Sequence, residues 1–231
     1  MDLRHELGLK TDVRDPIIEG QHSEQLVLAM YSKLLGDVQP DFPPHTHITG
    51  FAFYDQQSHN AGIKQEIKRF LESGDLPLVF TLGSTIGHTA KGFYREAAIC
   101  ANKLRQRAIL LTGMRTENIP HDLLNERVVA FEYAPYFELF PSSKIVIHQG
   151  GIGTTGQAMA AGVPMLVLPM GLDHFDNAAR VKRLGIARVL PMKKVNSKNL
   201  LRIISEILDE PSCFQKAKEV QSFIRSEGGV K

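Results

Sequence analysis

Short apolar runs alternate with amphipathic stretches along the chain from about residue 60 onward. The runs are four or five residues long and lack the every-second-residue alternation of a half-exposed strand, as at residues 78–82 and 108–112. Stretches with helical periodicity separate them, among them residues 90–104, 177–184 and 197–208, and Ser197 is expected to cap the last of these. Strands that are apolar on both sides are typical of a parallel sheet covered by helices. The pattern predicts a doubly wound, Rossmann-like α/β domain, whose ligands bind at the carboxyl ends of the strands.

Residues 1–60 follow a different pattern. Residues 26–35 carry apolar side chains at helical spacing and indicate a short amphipathic helix. The prolines of residues 40–44 then exclude a helix and predict an extended segment. The regular alternation of strands and helices begins only after this segment.

The segment from residue 148 to residue 174 carries the most specific pattern in the chain. A buried strand at 145–147 ends in His148 and runs into a glycine-rich turn, and a helix is expected to open at Thr154 and Thr155 and to close at Gly162. Glycine lets the backbone approach an anion closely, and the N–H groups of a helix N-terminus favour phosphate. The segment therefore predicts a site for a phosphorylated ligand.

A dinucleotide is one candidate for that ligand. Gly151, Gly153 and Gly156 form a literal G-x-G-x-x-G, and Asp173 lies 20 residues past Gly153. In a nicotinamide or flavin site, however, this fingerprint belongs to the first strand–helix unit, and the acidic residue ends the next strand. Here several strand-like runs come first, Asp173 is separated from its strand, and His148 has no place in the fingerprint. A dinucleotide site is therefore the less favoured interpretation.

The complete segment resembles the donor-binding signature of family 1 nucleotide-sugar glycosyltransferases, especially bacterial and sterol-type members. That signature reads H-x-G-G-x-G-T-T, then A-G-V-P, then an acidic residue with glutamine and a later asparagine. The matching residues are His148, Gly150, Gly151, Gly153, Thr154, Thr155, Gly162, Val163, Pro164, Asp173, His174 and Asn177. The resemblance extends from about residue 40 to the C-terminus and includes 82–84 and 133–135.

The resemblance implies a role for each part of the segment. The residues expected at the donor diphosphate are Ser84, His148, Gly150, Gly151, Gly153, Thr154 and Thr155. Those expected at the base, the ribose and the sugar are Tyr133 and Ala134, Gln157, and Asp173 with His174. The alternatives are structural: Thr154 and Thr155 as helix caps, Tyr133 in the core, and Asp173 as a solvated charge. His174 replaces the usual glutamine, so a sugar preference does not carry over.

The resemblance also implies an architecture. The chain is expected to contain one half of a GT-B fold, with the tail of an acceptor domain and a linker in residues 1–55 and a nucleotide-sugar donor-binding domain in 56–231. Its donor is expected to be a UDP-sugar or a dTDP-sugar, and the transfer to an acceptor hydroxyl to be inverting and metal-independent. No residue is a convincing general base, so the catalytic residue is unknown. An acceptor domain or partner chain is expected to supply it.

Two other functions remain open on these residues. One is a non-catalytic nucleotide-sugar-binding subunit, and the other is a nucleotide-sugar 2-epimerase of similar fold. Each of these functions is compatible with binding to a partner chain and with formation of a homo-oligomer. Gene context and nucleotide-binding measurements distinguish them better than further inspection of the sequence.

Composition narrows the remaining classes. A net charge of +2 and the lack of a basic run argue against nucleic acid as a partner. Two distant cysteines indicate free thiols, and the residue spacings predict neither a metal site nor a cofactor. No run is long enough for a transmembrane helix, and the first residues do not resemble a signal peptide. We therefore expect a cytoplasmic protein.

Overall fold

A small separate sheet lies near the start of the chain. The computed structural model describes residues 5–8, 20–53, 63–83, 91–113 and 116–227. In the second of these ranges, β1 (Val27–Ala29) pairs in parallel with β2 (Thr46–Ile48). The helix predicted over residues 26–35 is therefore wrong, because only Lys33–Leu35 turn helically. A helix of about ten residues is marginal by itself, and pairing with β2 offers the backbone a better set of hydrogen bonds.

The main sheet has six parallel strands. They are β3 (Leu78–Thr81), β4 (Ala108–Leu111), β5 (Val128–Phe131), β6 (Ile145–His148), β7 (Met165–Val167) and β8 (Ala187–Val189). Their order across the sheet is β5-β4-β3-β6-β7-β8. The chain starts in the middle, moves to one edge, and returns to β6 to build the other half. This confirms the predicted doubly wound fold and places its switch point between β3 and β6.

Helices cover both faces of this sheet. They are α1 (Gln65–Glu72), α2 (Lys91–Leu104), α3 (Tyr136–Leu139), α4 (Ile152–Ala161), α5 (His174–Arg183), α6 (Ser197–Leu208) and α7 (Pro211–Ser226). Alternate strand residues enter two cores: Val79 and Val146 pack on the face of α1, α4 and α5. Phe80 and Ile147 pack on the face of α2 and α6. The strands are therefore apolar throughout because each face meets helices.

Three helix starts differ from the sequence prediction. Helix α4 begins at Ile152 and not at Thr154, and α5 begins at His174, three residues earlier than expected. Helix α6 is capped by the side chain of Asn196 rather than by Ser197. The N-cap residues of α4 and α5, Gly151 and Asp173, make no side-chain cap hydrogen bond, although aspartate is a common N-cap residue. The predicted end of α4 is confirmed, since Gly162 has the left-handed φ of 66°.

Phe51 attaches the segment before the main sheet to α4. Its ring is buried in the same core as Val146 and Ala158. A Cβ atom on Gly156 would lie 2.7 Å from the Phe51 ring, so the ring rests directly on the helix backbone. The third glycine of the G-x-G-x-x-G pattern therefore makes room for Phe51.

This contact predicts that Gly156→Ala destabilises the protein. The new methyl group has to displace a buried ring, and overpacking of this kind costs about 1–3 kcal/mol. Gly153→Ala in the same helix is the matched control, because no described atom lies within 4 Å of a Cβ there. The control should leave the free energy of unfolding unchanged or raise it by up to about 1 kcal/mol, because alanine has a higher helix propensity than glycine. Urea unfolding measures both changes, and equal stabilities for the two variants would contradict the prediction.

Candidate functional site

Two loops meet where β3 and β6 end. Gly83 follows β3 with a φ of +67°, and the loop after β6 begins at His148. A Cβ atom on Gly83 would lie 2.5 Å from Nε2 of Gln149, so the two loops touch at this point. The contact lies at the switch point of the sheet, where doubly wound domains bind their ligands.

His148 is completely buried at the end of β6. Its Nδ1 accepts a hydrogen bond from the Gly150 amide at 3.1 Å, whereas its Nε2 is buried and has no hydrogen-bond partner among the residues that the structure describes. A neutral imidazole that accepts at Nδ1 carries its proton on Nε2. The ring therefore presents an unpaired N–H donor, and this is the clearest sign that the site is built for a further group.

The electrostatic environment keeps this ring neutral. Burial, and secondarily the neighbouring His174, lowers the pKa of His148 to about 3. At neutral pH the buried imidazole is therefore uncharged. His148 therefore offers a directed hydrogen bond rather than a positive charge.

The turn after His148 depends on glycine. Gly150 has a φ of +100°, and a Cβ on it would lie 2.8 Å from Val167 and 3.2 Å from the carbonyl oxygen of His174. Gly151 then caps α4 in an extended conformation with no side-chain hydrogen bond. Because the first N–H groups of a helix have no intrahelical acceptor, those of α4 point towards the turn without side-chain partners.

The two threonines of α4 are buried in its first turn. The hydroxyl of Thr155 donates to the carbonyl oxygen of Gly151 at 2.9 Å, and Thr155 is fully buried. Thr154 is also buried. The Thr155 hydroxyl therefore has a partner inside the helix, so the backbone of this turn is better placed for an anion than that side chain.

Asn177 ties the turn to the start of α5. Its buried amide donates to the carbonyl oxygen of Gly150 at 3.0 Å and to Oδ2 of Asp173 at 2.8 Å. Asp173 is exposed, and this bond orients its carboxylate while leaving acceptor capacity free. Nδ1 of His174 is buried at the same place, and no described residue forms a hydrogen bond with it. One asparagine thus connects the residues predicted for the diphosphate with those predicted for the sugar.

The remaining predicted residues occupy different positions. Tyr133, on the loop after β5, is 57% exposed, so its ring is not in the core, whereas Ala134 is buried. Gln157 is half-buried in the second turn of α4. Ser84 lies outside the described residues.

Sequence reasoning missed Gln149. The residue is 6% exposed and its Nε2 reaches Gly83, while its Oε1 is buried and meets no hydrogen-bond partner in the described ranges. In the sequence it occupies the variable position between His148 and Gly150, which carries no distinguishing signal. Only the packing of two loops shows that this amide lies inside the site.

Other sites are less well supported. In the part of the chain that the structure describes, no three His, Cys, Asp or Glu side chains group as metal ligands, and no helix has the length and apolarity to cross a membrane. A cavity of about 400 Å³ lies at the amino ends of the strands, near Leu76, Lys144 and Pro164. Ligands of doubly wound domains bind at the carboxyl ends of the strands, so we place the site at the loops and not in this cavity.

Comparison with known proteins agrees with this geometry. A family model described as "Erythromycin biosynthesis protein CIII-like, C-terminal domain" matches residues 109–227, more than half of the chain. The chain belongs to this family of glycosyltransferases. The match covers the His148 turn, α4 and α5, and confirms the resemblance to family 1 glycosyltransferases.

Curated relatives of this glycosyltransferase domain are longer than the chain. An O-mycaminosyltylonolide 6-deoxyallosyltransferase from Streptomyces fradiae is 33% identical over 191 residues, which cover 82% of the chain and 44% of that protein. A sterol 3-beta-glucosyltransferase from Candida albicans is 27% identical over 205 residues, or 82% of the chain and 13% of that protein. The chain spans less than half the length of these relatives.

Solved structures share the fold of the domain. The glycotransferase of kitacinnamycin superposes with a TM-score of 0.73 at 21% identity, over 87% of the chain and 51% of that structure. The calicheamicin glycosyltransferase gives 0.70 at 20% identity, over 99% and 56%. The domain therefore has the architecture of one half of a GT-B fold, as predicted.

The lowered pKa of His148 predicts how stability changes with pH. Between its ordinary value of 6.5 and about 3, the unfolded chain binds a proton at this residue that the folded domain does not. Stability is therefore retained above this window and falls as the pH is lowered through it, by up to about 1.4 kcal/mol per pH unit. His148→Asn keeps an acceptor near the Nδ1 position but cannot titrate. Its unfolding free energy in urea should decline less than that of the unchanged protein between about pH 7 and pH 5. Parallel declines would contradict the prediction.

Proposed function

We propose that the domain binds a UDP-sugar or dTDP-sugar at the switch point, as the donor half of an inverting, metal-independent glycosyltransferase. The observation that supports this most directly is the buried Nε2–H of His148 beside the N-terminus of α4, both of which lack a side-chain partner within the described part of the chain. A diphosphate supplies acceptors for both. In this proposal Gly150, Gly151 and Gly153 let the backbone approach those oxygens.

These donors suit the chemistry of glycosyl transfer. When the bond between the sugar and the nucleoside diphosphate breaks, negative charge develops on the departing phosphate oxygen. Preorganised N–H groups and the positive end of a helix dipole stabilise such charge without rearranging. Neutral His148 adds one more hydrogen-bond donor at the buried end of β6. This set offers the stabilisation that a cation supplies in metal-dependent enzymes.

The flanking residues fit the two ends of a nucleotide sugar. The exposed ring of Tyr133 is available to stack on a base, an interaction that needs only a flat face. Asp173, oriented by Asn177, is available to accept hydrogen bonds from sugar hydroxyls, and His174 lies beside it. We retain Ser84 for the diphosphate and Gln157 for the ribose as predictions from the resemblance.

Transfer also requires an acceptor and a general base. A positioned base removes the proton of the acceptor hydroxyl, and we assign no residue to this role. Ile152 on α4, Leu172 on the loop that holds Asp173 and Phe175 on α5 are exposed apolar side chains. We propose that an acceptor-binding half, of the kind that the length of the relatives implies, covers these residues and completes the reaction.

A dinucleotide site has weaker support. The G-x-G-x-x-G pattern follows β6, the fourth strand of the main sheet in chain order, whereas the nicotinamide fingerprint follows the first. Gly156 makes room for Phe51 rather than for close packing of α4 on a strand. Both features favour a nucleotide sugar over NAD.

The ligand class can be tested by thermal unfolding. A ligand that binds only the folded state at a concentration of 100 times its Kd stabilises by about 2.7 kcal/mol, or roughly 5–10 °C for a domain of this size. UDP or dTDP should raise the Tm by this amount, and UMP should raise it less because it leaves part of the anion site unfilled. An equal rise with NAD would contradict the proposed function.

Gly153→Ala tests the close approach of the ligand to α4. The methyl group enters space that no described atom occupies, so the fold should tolerate it. If a diphosphate lies against this turn, the same methyl group should weaken UDP binding about tenfold, or about 1.4 kcal/mol. Calorimetry measures the affinity, with Gly156→Ala as the variant that perturbs α4 on the side of Phe51. Unchanged UDP affinity in Gly153→Ala would place the ligand elsewhere.

A further inference from the structure

Two hydroxyl groups connect the loop after β5 with the loop after β3. Tyr136 is the first residue of α3 and follows directly after Tyr133, Ala134 and Pro135. Its hydroxyl lies 2.8 Å from Oγ1 of Thr81, the last residue of β3. The two loops belong to strands that are not neighbours, because β4 lies between β3 and β5. This bond therefore spans the end of an intervening strand.

The link continues into the backbone of the turn at Gly83. The same Oγ1 of Thr81 accepts a hydrogen bond from the Gly83 amide at 3.2 Å. Gly83 in turn lies against the buried amide of Gln149, one residue after His148. The position of the Tyr136 hydroxyl thus affects how closely the Gly83 turn approaches the loop that carries His148.

The packing around Tyr136 holds its hydroxyl in place. The ring stacks on Phe140, with centroids 4.5 Å apart and planes inclined by 14°. Burial raises the pKa of Tyr136, so its hydroxyl remains protonated at neutral pH. Thr81 is also buried, and a buried hydroxyl without a partner costs about 1–3 kcal/mol. The two groups therefore stay together in the folded domain.

We infer, on the basis of the proposed function, that Tyr136 is a positioning residue for the donor diphosphate. Through Thr81 it holds the Gly83 turn against Gln149, and so it sets the width of the diphosphate subsite. Because Tyr136 belongs to the loop that carries Tyr133 and Ala134, it also couples that subsite to the predicted base-binding loop.

Tyr136→Phe isolates this role, since it removes the hydroxyl and keeps the ring on Phe140. Loss of one hydrogen bond that supports the subsite should weaken UDP binding about three- to tenfold. Uridine lacks the diphosphate, so the affinity for uridine should differ less than about twofold between Tyr136→Phe and the unchanged protein. Calorimetry measures UDP, and NMR titration measures the weaker binding of uridine to the same protein.

Ser143→Ala is the matched control. The buried Ser143 hydroxyl donates a hydrogen bond to the carbonyl oxygen of Leu139 at 2.9 Å, and Ser143 precedes β6, at the opposite end of that strand from His148. Its removal should lower the Tm about as much as Tyr136→Phe and leave UDP affinity unchanged. An equal loss of UDP affinity in both variants would mean that general destabilisation explains the effect of Tyr136→Phe. That result would overturn the inference.

Thr81→Val tests whether Tyr136 acts through Thr81. If it does, Thr81→Val should weaken UDP binding to a similar extent, and the double variant should be no weaker than either single one. Additive losses, an unchanged UDP affinity in Tyr136→Phe, or equal losses for UDP and uridine would each overturn the inference. If the unchanged protein binds no UDP, the proposed function fails and the role of Tyr136 fails with it. If that protein binds UDP, the variants judge Tyr136 alone.

Discussion

The amide of Gly150 donates a hydrogen bond to Nδ1 of His148, and the other features of the candidate donor site depend on this contact. It fixes the tautomer of the ring, so that the proton lies on Nε2. It also closes the turn in a conformation with a φ of +100°, which brings Gly150 against Val167 and α5. The Gly150 carbonyl then reaches Asn177, which orients Asp173. One backbone amide thus organises both the anion-binding turn and the loop beyond it.

Two features of this arrangement raise the free energy of the folded state. A buried donor without a partner costs about 1–3 kcal/mol, and the structure contains such a donor at His148 Nε2. Leu172 adds a left-handed φ of 52° on a side chain that is 93% exposed. A leucine rarely adopts this conformation, at a cost on the order of 1 kcal/mol. Both costs lie beside Asp173 and the His148 turn. A nucleotide sugar bound there offsets the cost at His148, because its diphosphate accepts the hydrogen bond.

The sequence predicted the sheet well because its strands are apolar on both sides and alternate with helices, a pattern typical of a parallel sheet covered on both faces. It predicted the His148 turn because the glycines and the histidine are local in the chain. It failed for β1, whose cause is not local, because this strand forms by pairing with residues 46–48. It also misplaced the start of α4, because Gly151 caps this helix without a side chain that would mark the position. Asn177 matched the family pattern, but its link between Gly150 and Asp173 requires α5 to pack on the turn.

The donors of this site are uncharged, and this sets the conditions under which they are strong. A neutral imidazole N–H and backbone amides carry only partial charges, so their attraction for a diphosphate depends on a low local dielectric constant. His148 and Gln149 already lie in such surroundings, whereas Ile152, Leu172 and Phe175 leave the neighbouring surface open to water. In the proposed function, an acceptor-binding half that covers these apolar side chains also excludes water from the diphosphate. The same closure that brings the acceptor hydroxyl to the sugar would then strengthen the bonds that stabilise the leaving group.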